Sequence, residues 1–343
     1  VKGLMDQWIK SIIDFTDVKP ENVYKIQEFQ SLALLAQHPE YKPDIFVASL
    51  KTLQLFASGD NDYDLLPWDY KQFLQIYGIG VKVVDECHQC FHATTMMDLV
   101  SNVQHNLYCS ATFTQSSKQA RIIFKKIFPE SIQYGIAAYD KYVEVVFFNY
   151  SGEVQEKRCM KSRGYNHAKY EKELMICERK FNTHINELYV PIINAYYINK
   201  KTNPKQRMLI FCSSIQFIDN VVCKLRQIYP DHVVKSYTGE NCLADLDDAQ
   251  IIVSTPGKAS TGLDLKGLIA VYSTVSMAAE TTIQQAFGRL RKIDGMRLTY
   301  IDRCDTNIEA HRRHADDRKA LLRRMCTRFF EYDGLQDTTV QSG

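Results

Sequence analysis

Short apolar runs recur along this chain, separated by segments whose apolar residues fall at helical spacing. Strands covered on both faces read as continuous hydrophobic stretches, so this alternation demands parallel α/β sheets. One set of strands is expected at Ile45–Ala48, Val81–Val84, Leu107–Cys109 and Val143–Phe148. A second is expected at Met208–Cys212, Val233–Tyr237, Ile251–Ser254, Leu268–Tyr272 and Leu298–Ile301. Two sheets are implied, and 343 residues at ordinary domain size carry about two domains. With 45% apolar residues, each has enough material for a core.

Between the two sets, Leu174, Ile185, Leu188, Ile192, Ile193 and Tyr196 keep helical spacing up to a breaking Lys-Lys-Thr-Asn-Pro at 200–204. The expected division is a first α/β domain over 1–150, a helical bridge over 151–203, a second α/β domain over 204–305, and over 306–343 a basic helix, Asn307 to Phe330, with a frayed tail. That helix carries Arg312, Arg313, Arg318, Lys319, Arg323 and Arg324, but also Asp316 and Asp317, which favours a solvated helix packed on the second domain.

The 42 basic and 40 acidic residues leave a net charge of +2, so any nucleic-acid site must be a local basic surface. No run of eighteen apolar residues and no secretory leader occurs, and a soluble cytoplasmic protein that engages no membrane is expected. The ten cysteines sit in apolar segments, as reduced core residues do. Cys87 and Cys90 have a zinc-like step but no second pair at a suitable distance, so no zinc is expected.

The sharpest local signal is Val83-Val84-Asp85-Glu86-Cys87-His88, an apolar strand that stops at two adjacent carboxylates. Ligands of open parallel sheets sit beyond the carboxyl ends of the strands. An Asp there can hold Mg²⁺ while its Glu neighbour orients an attacking water, which is phosphoryl-transfer chemistry. The next strand ends in Ser110-Ala111-Thr112, whose small hydroxyl residues can relay hydrogen bonds.

In that order these segments resemble superfamily 2 helicases and translocases of the DEXH type, Asp85 to His88 matching motif II and Ser110 to Thr112 motif III. Leu4-Met5-Asp6-Gln7-Trp8 is similar to the segment after motif Ia in the branch of phage UvsW-type and XPB-like helicases. Phe46 to Leu50 resembles the following backbone-touching strand. Ile210 to Ser214 resembles motif IV. Thr255 with Ser260 to Asp264 resembles motif V, and Gln285 to Lys292 resembles motif VI. The likeness covers 1–305 and implies two RecA-like parallel-sheet domains in tandem, the first incomplete at its N-terminus.

It further implies an ATP-dependent DNA helicase or translocase core, viral or phage-like, using ATP and Mg²⁺. Asp85 would hold the metal and Glu86 would position water. Arg289, with Arg291 or Lys292, would stabilise the transferred charge. Which of Arg291 and Lys292 serves stays open, because a lysine cannot give the same bidentate fork. His88, Gln285, Gly262, Asp264, Ser110 and Thr112 would bind nucleotide or couple it to DNA. Lys51, Thr52, Ser213, Thr238 and Thr255 would touch the phosphates of a single-stranded or branched DNA partner.

The phosphate-cradling element G-x-x-x-x-G-K-S/T is absent from the 343 residues. The expectation is that it precedes Val1 in a longer protein, leaving a strand edge of the first sheet unpaired and this chain alone without the element that ATP turnover requires. Two other readings stand beside this one: a helicase-like module that binds nucleic acid without turnover, and an RNA-directed ATPase such as a viral transcript-release factor.

Overall fold

The computed structural model describes residues 2–87, 91–110, 118–134, 141–162, 164–239, 241, 243–260 and 265–334. The chain divides into two compact units, Val1–Gly135 and Ile136–Gly343.

In the first unit, α1 (Lys2–Phe15) leads into β1 (Val23–Ile26), α2 (Phe29–Gln37), β2 (Ile45–Ala48), α3 (Leu50–Ser58) and α4 (Tyr70–Ile76). β3 (Val81–Val84), α5 (Phe91–Leu99), β4 (His105–Tyr108) and α6 (Lys118–Ile127) follow. β1 pairs with β2, and β3 with β4, both in parallel. β1 was not expected, because Val-Tyr-Lys-Ile interrupts the apolar run with a lysine. An aromatic core binds β2 to α3 and α4. Phe46 meets Phe73 and Tyr77 edge-on at 5.4 and 5.3 Å, and Phe56 meets Trp68 at 5.7 Å. Asp69 fixes the start of α4 through a capping box, its side chain accepting from the Gln72 N–H at 2.7 Å while Gln72 Oε1 accepts from the Asp69 N–H at 3.0 Å. The register of the second pair places Val81, Val83 and Leu107 on one face. All three are more than half exposed, so that face is bare.

The second unit holds a seven-stranded sheet, entirely parallel, in the order β13-β5-β12-β11-β8-β10-β9. Its strands are β5 (Val143–Tyr150), β8 (Arg207–Phe211), β9 (Val234–Tyr237), β10 (Ile251–Ser254), β11 (Leu268–Ser273), β12 (Leu298–Asp305) and β13 (Arg328–Asp333). A two-residue-stranded antiparallel pair, β6 (Met160–Lys161) with β7 (Gly164–Tyr165), precedes α7 (His167–Met175), α8 (Glu178–His184) and α9 (Val190–Ile193). α10 (Ile215–Ile228), α11 (Pro256–Ser260), α12 (Glu280–Phe287) and α13 (Glu309–Met325) complete the unit. Every residue of β10, β11 and β12 is buried, as strands with both faces covered must be.

Three expectations are corrected here. The strand at Val143–Phe148 does not join the first set: it lies between β12 and β13 of the second sheet, and the division between units falls at 135 rather than 150. Sequence order misleads because neighbours in a parallel sheet are joined by crossovers. The segment over 151–203 is no bridge, since Tyr170, Leu174, Ile185, Tyr189, Ile193 and Tyr197 belong to the same core as the sheet. Pro191 opens α9 without an N–H to donate, and π-helical turns flank it at Ile185–Tyr189 and Asn194–Ile198. The C-terminal helix stops at Met325 rather than Phe330, and aromatic Phe329, Phe330 and Tyr332 run in a strand instead of a helix or tail. No helix among the described residues is long and apolar enough to cross a membrane.

Candidate nucleotide and nucleic-acid site

The two carboxylates stand where the apolar run ends. β3 closes at Val84, and the β3·β4 ladder continues one step on either side of the acids: Cys109 N–H donates to Val84 O at 2.8 Å and Cys87 N–H to Cys109 O at 3.1 Å. An extra residue is accommodated between those bonds. Glu86 takes φ +49°, the only left-handed residue other than glycine among the described residues. Such backbone is costly for a residue with a Cβ and persists where the surroundings impose it. Burial pushes the neighbouring Cys87 thiol up to about 11, with Cys109 and both acids adding to the effect, so this cysteine is a packed thiol.

Asp85 is oriented from two sides. Its Oδ1 accepts from the Glu86 N–H at 2.9 Å and its Oδ2 from the indole Nε1 of Trp8, on α1, at 3.1 Å. Trp8 lies in the segment singled out in the sequence, but its bond spans 77 positions and no local pattern announces it. Two adjacent carboxylates at a strand end are a hard-oxygen donor set that fits Mg²⁺, which takes one or two carboxylates and completes its shell with water and substrate phosphate. Ser110 lies two residues past the end of β4 and is half-buried, one strand over from the acids. His88 and Thr112 lie outside the described residues, as do Gly262 and Asp264.

In the second unit, Gln285 sits half-buried on α12, and Gly288 ends that helix. Arg289, Arg291 and Lys292 follow in the connection to β12. Arg289 is half-buried, and Arg291 and Lys292 are exposed. The resembled motif VI therefore occupies a helix end and the loop after it.

The residues expected to touch phosphates divide. Lys51 is exposed in the first turn of α3. Thr52 departs from the expectation: it is 5% exposed and donates its hydroxyl to Gln27 O at 2.5 Å, which ties α3 to the end of β1. Thr238 N–H donates to Asn241 Oδ1 at 2.9 Å in the turn after β9. Thr255 Oγ1 accepts from Lys258 N–H at 3.2 Å at the start of α11. Ser213, in the loop between β8 and α10, donates its N–H to Glu171. The basic C-terminal helix is not uniformly solvated, because Arg318 faces the core and is fully buried against Asp302.

Sequence reasoning missed Glu171. A signal existed: His167, Tyr170, Glu171 and Leu174 follow the i, i+3, i+4, i+7 rule of a buried helix face, which places an acid inside. It also missed Arg303, whose guanidinium lies 5.0 Å from the Tyr189 ring and 5.6 Å from those of Tyr150 and Tyr272, with Nη1 donating to Tyr272 Oη at 3.2 Å.

No protein-family model and no curated protein matches this chain. Solved structures do. The structure of S. cerevisiae Dbp5 bound to RNA and ADP BeF3 is 13% identical with a TM-score of 0.53, over 97% of this chain and 83% of that one. DUF1998 helicase MrfA bound to DNA is 11% identical with a TM-score of 0.56, over 97% and 42%. Helicase Lhr of Mycobacterium smegmatis bound to ssDNA and AMP-PNP is 12% identical with a TM-score of 0.50, over 94% and 39%. The chain thus spans less than half of the two helicase chains and most of the first. At these identities the likeness is one of fold: the chain has the α/β architecture of tandem RecA-like helicase domains.

Proposed function

We propose that this chain is the motor core of an ATP-dependent helicase or translocase that grips nucleic acid through phosphate contacts. The observation that carries the reading is the Asp85–Glu86 pair at the end of β3, held by Trp8 and by the strained Glu86 backbone, in a chain with the fold of nucleotide-bound helicases. Asp85 holds Mg²⁺ in this reading, and the ion supplies charge neutralisation at the phosphates. Glu86 orients the attacking water. Arg289, with Arg291 or Lys292, balances charge on the transferring phosphoryl group, and Gln285 faces the nucleotide. Ser110 passes the event on to the nucleic-acid grip, for which Lys51, Ser213, Thr238 and Thr255 are the candidate contacts.

DNA is the proposed strand, on the likeness of Leu4 to Trp8 and of Gln285 to Arg291 to the UvsW-type branch. The solved relatives carry both chemistries, RNA in Dbp5 and DNA in MrfA and Lhr. A second reading, a module that binds nucleic acid without turnover, is favoured by the lack of a P-loop among the 343 residues.

The test is Mg²⁺-dependent ATP hydrolysis by the protein with and without DNA and RNA strands. Stimulation by DNA above RNA, and a loss of roughly a hundredfold or more in Glu86→Gln, is expected. Hydrolysis indifferent to Glu86→Gln overturns the site. Strand binding with no hydrolysis transfers the protein to the second reading, and stimulation by RNA alone overturns the DNA assignment.

A further inference from the structure

The loop between β8 and α10 is held by an acid from another element. Glu171, on α7, is 1% exposed. Its Oε1 accepts from the Ser213 N–H at 2.5 Å, and its Oε2 accepts from both the N–H and the hydroxyl of Ser214 at 2.7 Å. A fourth donor faces the same group. His167 Nδ1 faces the Tyr165 hydroxyl at 2.9 Å and the Ser276 N–H at 3.4 Å; the backbone N–H can only donate, so Nδ1 accepts and the proton of the neutral ring lies on Nε2. Burial, foremost, and the nearby His311, Arg303 and Arg318 keep that ring neutral. Nε2 is buried without a hydrogen-bond partner, 3.9 Å from Glu171 Oε1.

Three hydrogen-bonding donors at the start of a 14-residue helix, with the His167 N–H standing 3.9 Å off, exceed what a cap requires, which is one acceptor for one or two amides. They are donors of the kind that bind an oxyanion, with the positive end of the helix dipole behind them. Filling such a site with a buried carboxylate has a cost. Burial raises the Glu171 carboxyl to about 7 despite the Ser213 and Ser214 bonds and the Arg303 charge that favour ionisation. Ser213 and Ser214 remain half-exposed, so the loop can be reached from solvent while the acid cannot.

We infer that Glu171 is an internal anion occupying a phosphate site, so that the Ser213–Ser214 loop grips a nucleic-acid phosphate only when this carboxylate gives way. The identity of the ligand rests on the function proposed above; the anion site does not. The loop is then a competitor-gated contact whose affinity for phosphate is set by a residue that never touches the strand.

The experiment follows the Ser213 and Ser214 amide resonances of the ¹⁵N-labelled protein during titration with inorganic phosphate, in wild type, Glu171→Gln and Glu171→Asp. The same three proteins are titrated with fluorescent single-stranded DNA and RNA at a series of KCl concentrations. Glu171→Gln keeps the shape and removes the charge. Glu171→Asp keeps the charge but shortens its reach, and it preserves the test if the first variant fails to fold. In Glu171→Gln the two amides are expected to respond at roughly tenfold lower phosphate than in wild type, the worth of one set of charge-assisted bonds. Glu171→Asp is expected to fall between them. Oligonucleotide binding should tighten, with a salt slope steeper by about 0.7, one additional phosphate on a single strand. An unchanged phosphate response in both variants overturns the inference. A phosphate response without any oligonucleotide binding, in any of the three proteins, leaves the anion site standing and overturns the nucleic-acid reading. A phosphate response with an unchanged salt slope shows a site for free phosphate and overturns the strand contact.

Discussion

Arg318 donates from Nε to Asp302 Oδ2 at 2.8 Å with neither side chain exposed, a fully interior ion pair joining α13 to β12. The guanidinium also donates to the carbonyls of Met277 and Arg303 and to Ser276 Oγ, so four connections meet on one residue of a helix that looks basic and solvated in sequence. Removing one partner leaves an uncompensated charge in the core. Arg318→Leu is expected to destabilise the second unit by about 3–5 kcal/mol in urea unfolding, and Asp302→Asn by a comparable amount. The double variant should cost less than the two single losses added together. Additive losses would mean that the pair does not act as a unit.

Gly267 adopts φ +78°, and a Cβ there would meet the carbonyl oxygen of Lys205 at 2.4 Å. Gly295 adopts φ +73° with open space around it. Gly267→Ala is expected to cost about 2 kcal/mol or more and Gly295→Ala about 1 kcal/mol, both by urea unfolding. Equal losses at the two positions would show that the Lys205 carbonyl yields freely.

Protonation of Glu171 enters the pH dependence of stability with a definite sign. The folded chain holds a proton there that the unfolded chain releases above roughly pH 4.3, so this contribution is greatest at low pH and is lost as pH rises through about 7. The histidines work in the opposite direction. Burial depresses His167 and His184, and His311 to about 3, so the unfolded chain gains protons below roughly pH 6.5 and stability falls with them. In Glu171→Gln the histidine contribution is no longer opposed by this carboxyl. The unfolding free energy of the variant should therefore rise more steeply from pH 5 to 7 than that of wild type. Parallel curves would contradict a raised carboxyl at Glu171.

Thiol reactivity separates the cysteines. Cys177 precedes α8, and the N–H groups of Lys180 and Arg179 lower its thiol from the ordinary value. Cys109 and Cys223 are exposed, while Cys87, Cys159, Cys212, Cys304 and Cys326 are buried. With an aromatic disulfide reagent the native protein should show a fast phase that Cys177→Ser removes and that persists below the pH at which an ordinary thiol slows. Loss of the fast phase in Cys223→Ser instead would overturn the assignment.

The strands most legible in the sequence were those whose apolar residues run unbroken, and Ile45–Ala48 and Ile251–Ser254 lie where the hydrophobic pattern places them. Val81–Val84 was legible despite Lys82 because the Asp85–Glu86 pair marks its end. β1 and β13 were hidden because Lys25 and Glu331 interrupt their pattern, as expected where a strand has one face less covered. Of the site, Asp85 and Glu86 were readable because a strand end is a local property. The bonds that orient or occupy the site were not: Trp8 reaches Asp85 across 77 positions, and Glu171 reaches Ser213 across 42. Contacts of that range depend on the packing of finished elements. Thr52 shows the converse, a residue of the right type at the right place whose hydroxyl is spent inside the fold.

The position of β5 also sets a timetable for synthesis. It is the first strand of the second sheet to be made, yet both of its partners, β12 and β13, are among the last. Its apolar Val-Val-Phe-Phe segment waits while about 150 further residues are translated, on the order of ten seconds or more at roughly 5–20 residues per second. During that interval the emerging chain exposes a strand with high β propensity and no mate. The strands from β8 to β11 can meet one another earlier, so the ribosome delivers a partial sheet first and its second-from-edge strand joins only as the last elements arrive. A nascent chain of this protein is thus a substrate for chaperones that hold extended apolar segments, for a reason written in strand order rather than in overall hydrophobicity.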